Sequence, residues 1–344
     1  MLADRLNIAS KFTFKKGVNA GKMLAGYYFS KLTKKPYQWA FPISISIEPT
    51  TSCNLRCPEC PSGLRSFSRP IGMLDDAFFR KTIDELHKKI FYLTFYFQGE
   101  PYLNPKFLEM VKYAAQKNIY TSTSTNAHYL DDHNARSTIK SGLDKLIISI
   151  DGTTQETYAS YRIGGDLEKV KNGIKNLLKW KAQLKSKTPY LVLQFVAFRQ
   201  NEHEIGGIKQ LGKELGVDEV KIKTAQIYDY KDGNERIPLN EKLSRYKMNT
   251  TGAYQVKSKP NIESCWRLWS SCVITWDGKI VPCCFDKDAK YQLGSLQEDS
   301  FKTIWFSSKD AKNDTYRKFR SRLLKSRKEI DICQNCTEGV EVWT

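Results

Sequence analysis

Ile43-Ser44-Ile45-Ser46-Ile47 alternates as a β-strand does, and the loop that leaves it carries Cys53-Asn54-Leu55-Arg56-Cys57-Pro58-Glu59-Cys60. Three residues separate the first two cysteines and two separate the next pair, so three thiols share one short loop. That spacing suits three corners of a cubane iron–sulfur cluster and leaves the fourth iron open to bind a small molecule. Thiolate is the ligand type such clusters use. A zinc loop, a disulfide or buried free thiols are the other readings. Structural zinc takes four ligands, and no His or Cys stands nearby in sequence to supply the fourth. Iron–sulfur is therefore preferred.

Downstream, strand and helix patterns alternate. Strands are expected at Ile43–Ile47, Tyr92–Phe97, Ile119–Thr123, Leu146–Ile150, Leu191–Phe198 and Val220–Lys223. Helices are expected at Asp75–Lys88, Pro105–Lys117, Asp131–Ser141, Leu167–Leu184 and Glu202–Leu215. This alternation means parallel βα units with both sheet faces covered. Pattern alone does not separate a partial barrel from an open doubly wound sheet. In either, ligands bind at the C-terminal ends of the strands. The cysteine triplet follows strand one and Gln98-Gly99-Glu100-Pro101 follows strand two. Thr125-Asn126-Ala127 follows strand three, and Ser149 and Asp151 end strand four. Turn formation explains any one of these residues, but their joint placement at one mouth points to a site.

A second set comprises Cys265, Cys272, Cys283, Cys284, Cys333 and Cys336. Asp277-Gly278 is a hairpin turn signal, which puts Cys283 on the return strand. Cys333-Gln334-Asn335-Cys336 is a CxxC knuckle. Taken alone, this region also suits zinc.

The chain has 344 residues, enough for one large domain and a small one. Nine cysteines cannot all pair within the chain, and no secretory signal or membrane-spanning run is evident. Metal-bound thiolates in a reducing cytoplasm are the simplest account. The formal net charge is +18, with dense basic stretches up to Lys35 and from Arg317 to Lys328. No RNA-binding signature accompanies them, so nucleic acid is not expected as a partner, and an acidic substrate or partner is. The first forty residues are basic and partly amphipathic. A helix packed at the sheet's edge is the preferred reading and a membrane-surface helix the alternative.

The CxxxCxxC loop after strand one and the GEP sequence after strand two resemble the radical S-adenosylmethionine (SAM) superfamily, and the later cysteines resemble its SPASM/twitch extension. Many members carry an aromatic residue where Glu59 stands. The resemblance implies an α/β fold: a partial (β/α)6 TIM-type barrel with a small cysteine-rich C-terminal domain. The expected division is a basic helical extension over 1–40, the barrel over 41–240, a linker over 241–264 and the auxiliary domain over 265–344. The resemblance also implies that Cys53, Cys57 and Cys60 hold a [4Fe–4S] cluster. Gly99, Glu100, Pro101, Asn126, Ser149, Asp151 and Arg162 would contact SAM. Glu100 and the Gly99 backbone would receive its ammonium, and Arg162 would pair with its carboxylate through parallel donors. Gln194 is a weaker pocket candidate. One auxiliary [4Fe–4S] cluster would fall to Cys265, Cys283, Cys333 and Cys336. Cys284 is unassigned, and Cys272 can substitute for one of the four. The implied activity is reductive cleavage of SAM to a 5′-deoxyadenosyl radical that abstracts hydrogen from a peptide or a small carbohydrate or alcohol. The auxiliary cluster would accept an electron, and flavodoxin or ferredoxin would donate one. A non-catalytic zinc- or nucleic-acid-binding adaptor is the rival reading.

Overall fold

The computed structural model describes residues 2–257, 264–306 and 315–338. Helices α1 (Leu2–Ser10) and α2 (Phe14–Thr33) lead into strand β1 (Ser44–Ile47). There follow α3 (Pro61–Leu64), α4 (Asp76–Leu86), β2 (Tyr92–Thr94), α5 (Phe107–Gln116), β3 (Tyr120–Thr125), α6 (Asp132–Lys140) and β4 (Lys145–Ser149). Next come α7 (Gln155–Tyr161), α8 (Leu167–Gln183), β5 (Tyr190–Ala197), α9 (Ile205–Leu215) and β6 (Glu219–Thr224). The six strands and five helices expected from pattern are present, with shifted ends. Three helices start on an aspartate whose side chain accepts the N–H three residues on: Asp75 from Phe78, Asp131 from Asn134 and Asp166 from Lys169.

Strands β1 to β6 lie side by side in sequence order, and each neighbouring pair is parallel. A doubly wound sheet would reverse order at a switch point. This one winds in a single direction, as a barrel does. Ile45, Leu93, Leu146, Ile148, Leu193 and Phe195 from the strands pack with Phe79, Val111, Val170 and Ile174 from the helices in one core.

The C-terminal region comprises β7 (Tyr246–Met248), β8 (Tyr254–Val256), α10 (Arg267–Ser270), β9 (Ser271–Ile274), β10 (Lys279–Val281), β11 (Gly294–Ser295), α11 (Phe301–Phe306), α12 (Thr315–Lys325) and α13 (Asp331–Gln334). It continues the barrel sheet. β9 pairs in parallel with β1, and β10 and β11 extend the edge antiparallel. The turn at Asp277-Gly278, with Gly278 at φ 86°, makes β9 and β10 a hairpin. Trp269 and Trp305 belong to the same core as the barrel helices. The cysteine-rich C-terminal region thus shares the barrel's sheet and core. In the span 241–264, expected as a linker, β7 and β8 form a hairpin, and Tyr246 packs with Phe198, Ile227 and Ile237. Residues 258–263 lie outside the described residues. Among the described residues, no helix is long and apolar enough to cross a membrane.

Candidate active site

The cysteine loop is pinned to the end of β2. Gly99 has φ 74°, and a Cβ there would sit 2.2 Å from the Thr50 carbonyl oxygen and 2.8 Å from that of Ser52. Only glycine suits both the angle and the approach. The Glu100 N–H donates to the Ser52 carbonyl at 2.8 Å, and the Gly99 N–H to Ser62 Oγ at 2.9 Å. At Gly63 a Cβ would lie 2.5 Å from the Cys57 amide nitrogen and carbonyl oxygen, so the first turn after Cys60 also packs on the loop.

A cavity of about 350 Å³ opens at this end of the sheet. Cys53, Cys57, Cys60, Gly99, Glu100, Asn126, Ser149, Arg162 and Gln194 line it. Pro101 and Asp151 are not among its lining residues. Asp151 is fully buried and accepts Arg162 Nε at 2.6 Å and the Val196 N–H at 2.7 Å. It thus aims Arg162, whose Nη1 lies 3.9 Å from Cys57 Sγ. Glu100 is also turned inward. Its carboxylate accepts Thr125 Oγ1 at 2.7 Å and the Asn126 N–H at 2.8 Å, locking the ends of β2 and β3 together. Burial pushes its carboxyl up to about 7, against the pull of those hydrogen bonds. Asn126 Nδ2 donates to Asn54 Oδ1 at 2.8 Å and lies 3.8 Å from Cys53 Sγ. Ser149 Oγ is 3.4 Å from Ser124 Oγ.

The thiolate chemistry of the three cysteines suits a cluster, although among the described residues no group of three or more His, Cys, Asp or Glu side chains is placed to hold a single metal ion. The three cysteines face one cavity on a loop whose close approach is enforced by glycine. Burial pushes Cys53 up to about 12 and raises Cys57 against the opposing charge of Arg162. Such thiols stay protonated until a metal displaces the proton. The remaining polar walls suit a charged, hydrogen-bonding molecule such as SAM.

A second, much smaller cavity, of about 30 Å³, is lined by Cys265, Cys283, Cys284, Cys333 and Cys336. Its walls include Leu268, Phe319, Leu323 and Ile332. The Arg327 guanidinium reaches Cys336 Sγ at 3.4 Å and donates to the carbonyls of Ser264 and Glu338. Four of its five lining thiols, with an enclosed apolar wall and the guanidiniums of Arg267 and Arg327, suit a cluster with a negative ligand set. Cys272 is elsewhere: it faces the main core and is 1% exposed. Cys284 is exposed and borders both cavities.

The sequence reading missed Lys287 as a residue of the mouth. It lines the first cavity and its Nζ donates to the Tyr228 hydroxyl at 2.6 Å. Its carbonyl accepts Arg69 Nε at 3.2 Å, and Arg69 pairs with buried Glu48 through two contacts of 2.7 and 2.5 Å. Glu59, in place of an aromatic residue, accepts the Tyr228 N–H at 3.1 Å. No local motif flags Lys287 or Arg69. The only signal for Cys284 was its place beside Cys283.

A radical SAM superfamily model matches residues 47–194, and the SPASM iron–sulfur cluster-binding domain model matches residues 265–337. The chain carries a radical SAM domain and a SPASM domain, and it is an enzyme. These domains imply a [4Fe–4S] cluster with SAM in the first and auxiliary iron–sulfur in the second. The chain is 26% identical over 296 residues to the tungsten-containing aldehyde ferredoxin oxidoreductase cofactor-modifying protein of Pyrococcus furiosus, covering 76% of this chain and 80% of that protein. It is 26% identical over 204 residues to the PqqA peptide cyclase of Gluconobacter oxydans, covering 59% of this chain but only 55% of the cyclase. Streptococcus suis SuiB bound to S-adenosylmethionine shares the fold, with a TM-score of 0.63 at 14% identity over 90% of this chain and 75% of that one.

Proposed function

We propose that this enzyme oxidises a peptide or a small polar substrate bearing an acidic group, by hydrogen abstraction at the mouth of the barrel. Cys53, Cys57 and Cys60 would hold the first cluster. The Gly99 backbone would receive the SAM ammonium, and Arg162, aimed by Asp151, its carboxylate. Asn126 and Ser149 would face the nucleoside, while Glu100 and Pro101 set the geometry of the β2 end. When bound, cluster and SAM supply a 5′-deoxyadenosyl radical able to take hydrogen from an unreactive C–H bond. The protein's part is orientation and exclusion of water. We assign one auxiliary [4Fe–4S] cluster, the electron acceptor, to Cys265, Cys283, Cys333 and Cys336. A flavodoxin or ferredoxin is the electron donor we infer, and the reducing cytoplasm the setting.

The observation that carries this reading is the convergence of three thiols, Arg162 and the ends of β2, β3 and β4 on one cavity. Lys287 among its lining residues supports an acidic substrate, and the likeness to the PqqA peptide cyclase supports a peptide as the substrate class. The two domains do not favour the zinc or nucleic-acid adaptor. Anaerobically reconstituted protein given dithionite and SAM is expected to release 5′-deoxyadenosine. Cys57→Ala is expected to lower the rate by about a thousandfold or more. Release by the variant at the wild-type rate would refute the assignment.

A further inference from the structure

Helix α2 is amphipathic in the inverted sense. Its inward face carries Lys16, Asn19 and Ser30 beside Met23, Gly26 and Tyr27. The polar members are satisfied there. Lys16 Nζ donates to the Asn118 carbonyl at 2.5 Å. Asn19 Nδ2 donates to the Phe41 carbonyl at 3.1 Å and its Oδ1 accepts the Phe41 N–H at 3.0 Å. Ser30 Oγ donates to the Gly26 carbonyl and accepts the Tyr37 N–H. These bonds fix which side of the helix faces the barrel.

The outward face is apolar. Phe14, Val18, Gly21, Ala25, Tyr28 and Leu32 are all exposed, at i, i+4, i+7, i+11, i+14 and i+18. Phe14 is 83% and Leu32 81% exposed. At 1.5 Å per residue the stripe runs about 27 Å. Exposed Lys15 and Lys22 flank one side and exposed Lys31 the other. Exposed Trp39 lies beyond the helix end, its ring 5.4 Å from that of Phe29.

We propose that this stripe docks the enzyme on an anionic lipid surface. An apolar stripe with lysines on both sides matches a surface that is apolar beneath and negative at the headgroups: the rings and Leu32 enter, while the lysine stems reach back to the phosphates. Tryptophan beside the stripe suits the interfacial region. Charge argues against a second copy as the occupant. Residues 1–35 contain eight lysines and arginines and one aspartate, and the whole chain is +18, so two stripes face to face would oppose like charges. The helix lies on the surface and does not cross it, because its other face is committed to the barrel.

The test is flotation of the full-length protein with vesicles of phosphatidylcholine, alone or mixed with phosphatidylglycerol. Partition onto the mixed vesicles is expected to exceed that onto phosphatidylcholine by about tenfold, and to fall in high salt. A Phe14→Ser/Leu32→Ser variant is expected to lose that partition by about tenfold while keeping wild-type 5′-deoxyadenosine release and melting temperature. Equal partition of wild type and variant would overturn the proposal. So would sedimentation showing that wild type self-associates and the variant does not, which would make a second copy the occupant. Because both substitutions lie outside the cavity, loss of docking and failure of the proposed reaction are read separately.

Discussion

The two cysteine-lined cavities use the same ligand atom in opposite surroundings. The first presents three thiols to a larger mouth with mixed polar and apolar walls, where Asn126 and Arg162 approach the sulfurs of Cys53 and Cys57. The second encloses Cys265, Cys283, Cys333 and Cys336 between Leu268, Phe319, Leu323 and Ile332, with Arg267 in the wall and Arg327 within reach of Cys336. Thiol number alone does not separate a reactive site from an auxiliary one. The walls do: polar groups around a three-thiol site leave room to bind and orient a molecule, whereas an apolar shell around four thiols limits solvent access and tunes a redox potential. Cys284, bordering both, marks where the two environments meet.

If the two sites differ in kind, removing one ligand from each should have separable effects. The largest is expected for Cys57→Ala in the first site, as set out above. Cys333→Ala in the second should lower the iron of reconstituted protein from about eight to about four per chain, while SAM cleavage survives within about tenfold of wild type. Iron and sulfide assays beside 5′-deoxyadenosine release check this. Loss of cleavage in Cys333→Ala as severe as in Cys57→Ala would erase the distinction.

A smaller effect concerns the polar wall itself. The Glu100 carboxyl is raised by burial from 4.5 to about 7. Between those values the folded, metal-free protein holds a proton that the unfolded chain releases, so stability is fully present below 4.5 and is lost as pH rises through about 7. Glu100→Gln should remove this fall of unfolding free energy with pH, on the order of 3 kcal/mol across the range, and so flatten the dependence of melting temperature on pH. An unchanged slope would show that the carboxyl is not held in this buried position. The second cavity, with no carboxylate in its wall except Glu338 at the rim, offers no counterpart.

What could be read in the sequence was local. The triplet, the glycine of the β2 end and the CxxC each carry their constraint within a few residues. The parallel strands showed through different local signals: alternation in β1 and β6, a threonine-rich β-branched stretch in β3 and apolar runs in β4 and β5. The hairpin of β7 and β8 was missed because three residues per strand are too few to show alternation. Lys287 was missed because its place depends on pairing that no local pattern announces. β9 must join β1 before the loop after β10 can reach the mouth, and the Arg69 contact that holds it spans 218 residues. Asp151 and Glu100 were legible as site residues, but their direction was not. Only the structure shows the one aiming Arg162 and the other bracing Asn126.

Cys272 sharpens the comparison most finely, because sequence alone allowed it as a ligand of the second site. It lies on β9 opposite Ile45 of β1, in the core beside Leu268 and Trp269, and burial pushes its thiol far above the usual range. A thiol so placed behaves as a small apolar group. Cys272→Ala should therefore leave iron, sulfide and 5′-deoxyadenosine release unchanged. It should cost about 1 kcal/mol for the lost sulfur contacts, a drop of a few degrees in melting temperature. Cys333→Ala should show the reverse balance, with metal lost first and stability falling only as a consequence. Were Cys272→Ala to lose four irons, β9 would be supplying a ligand to the second cavity, and the sheet that joins the two regions would itself be part of the cluster site.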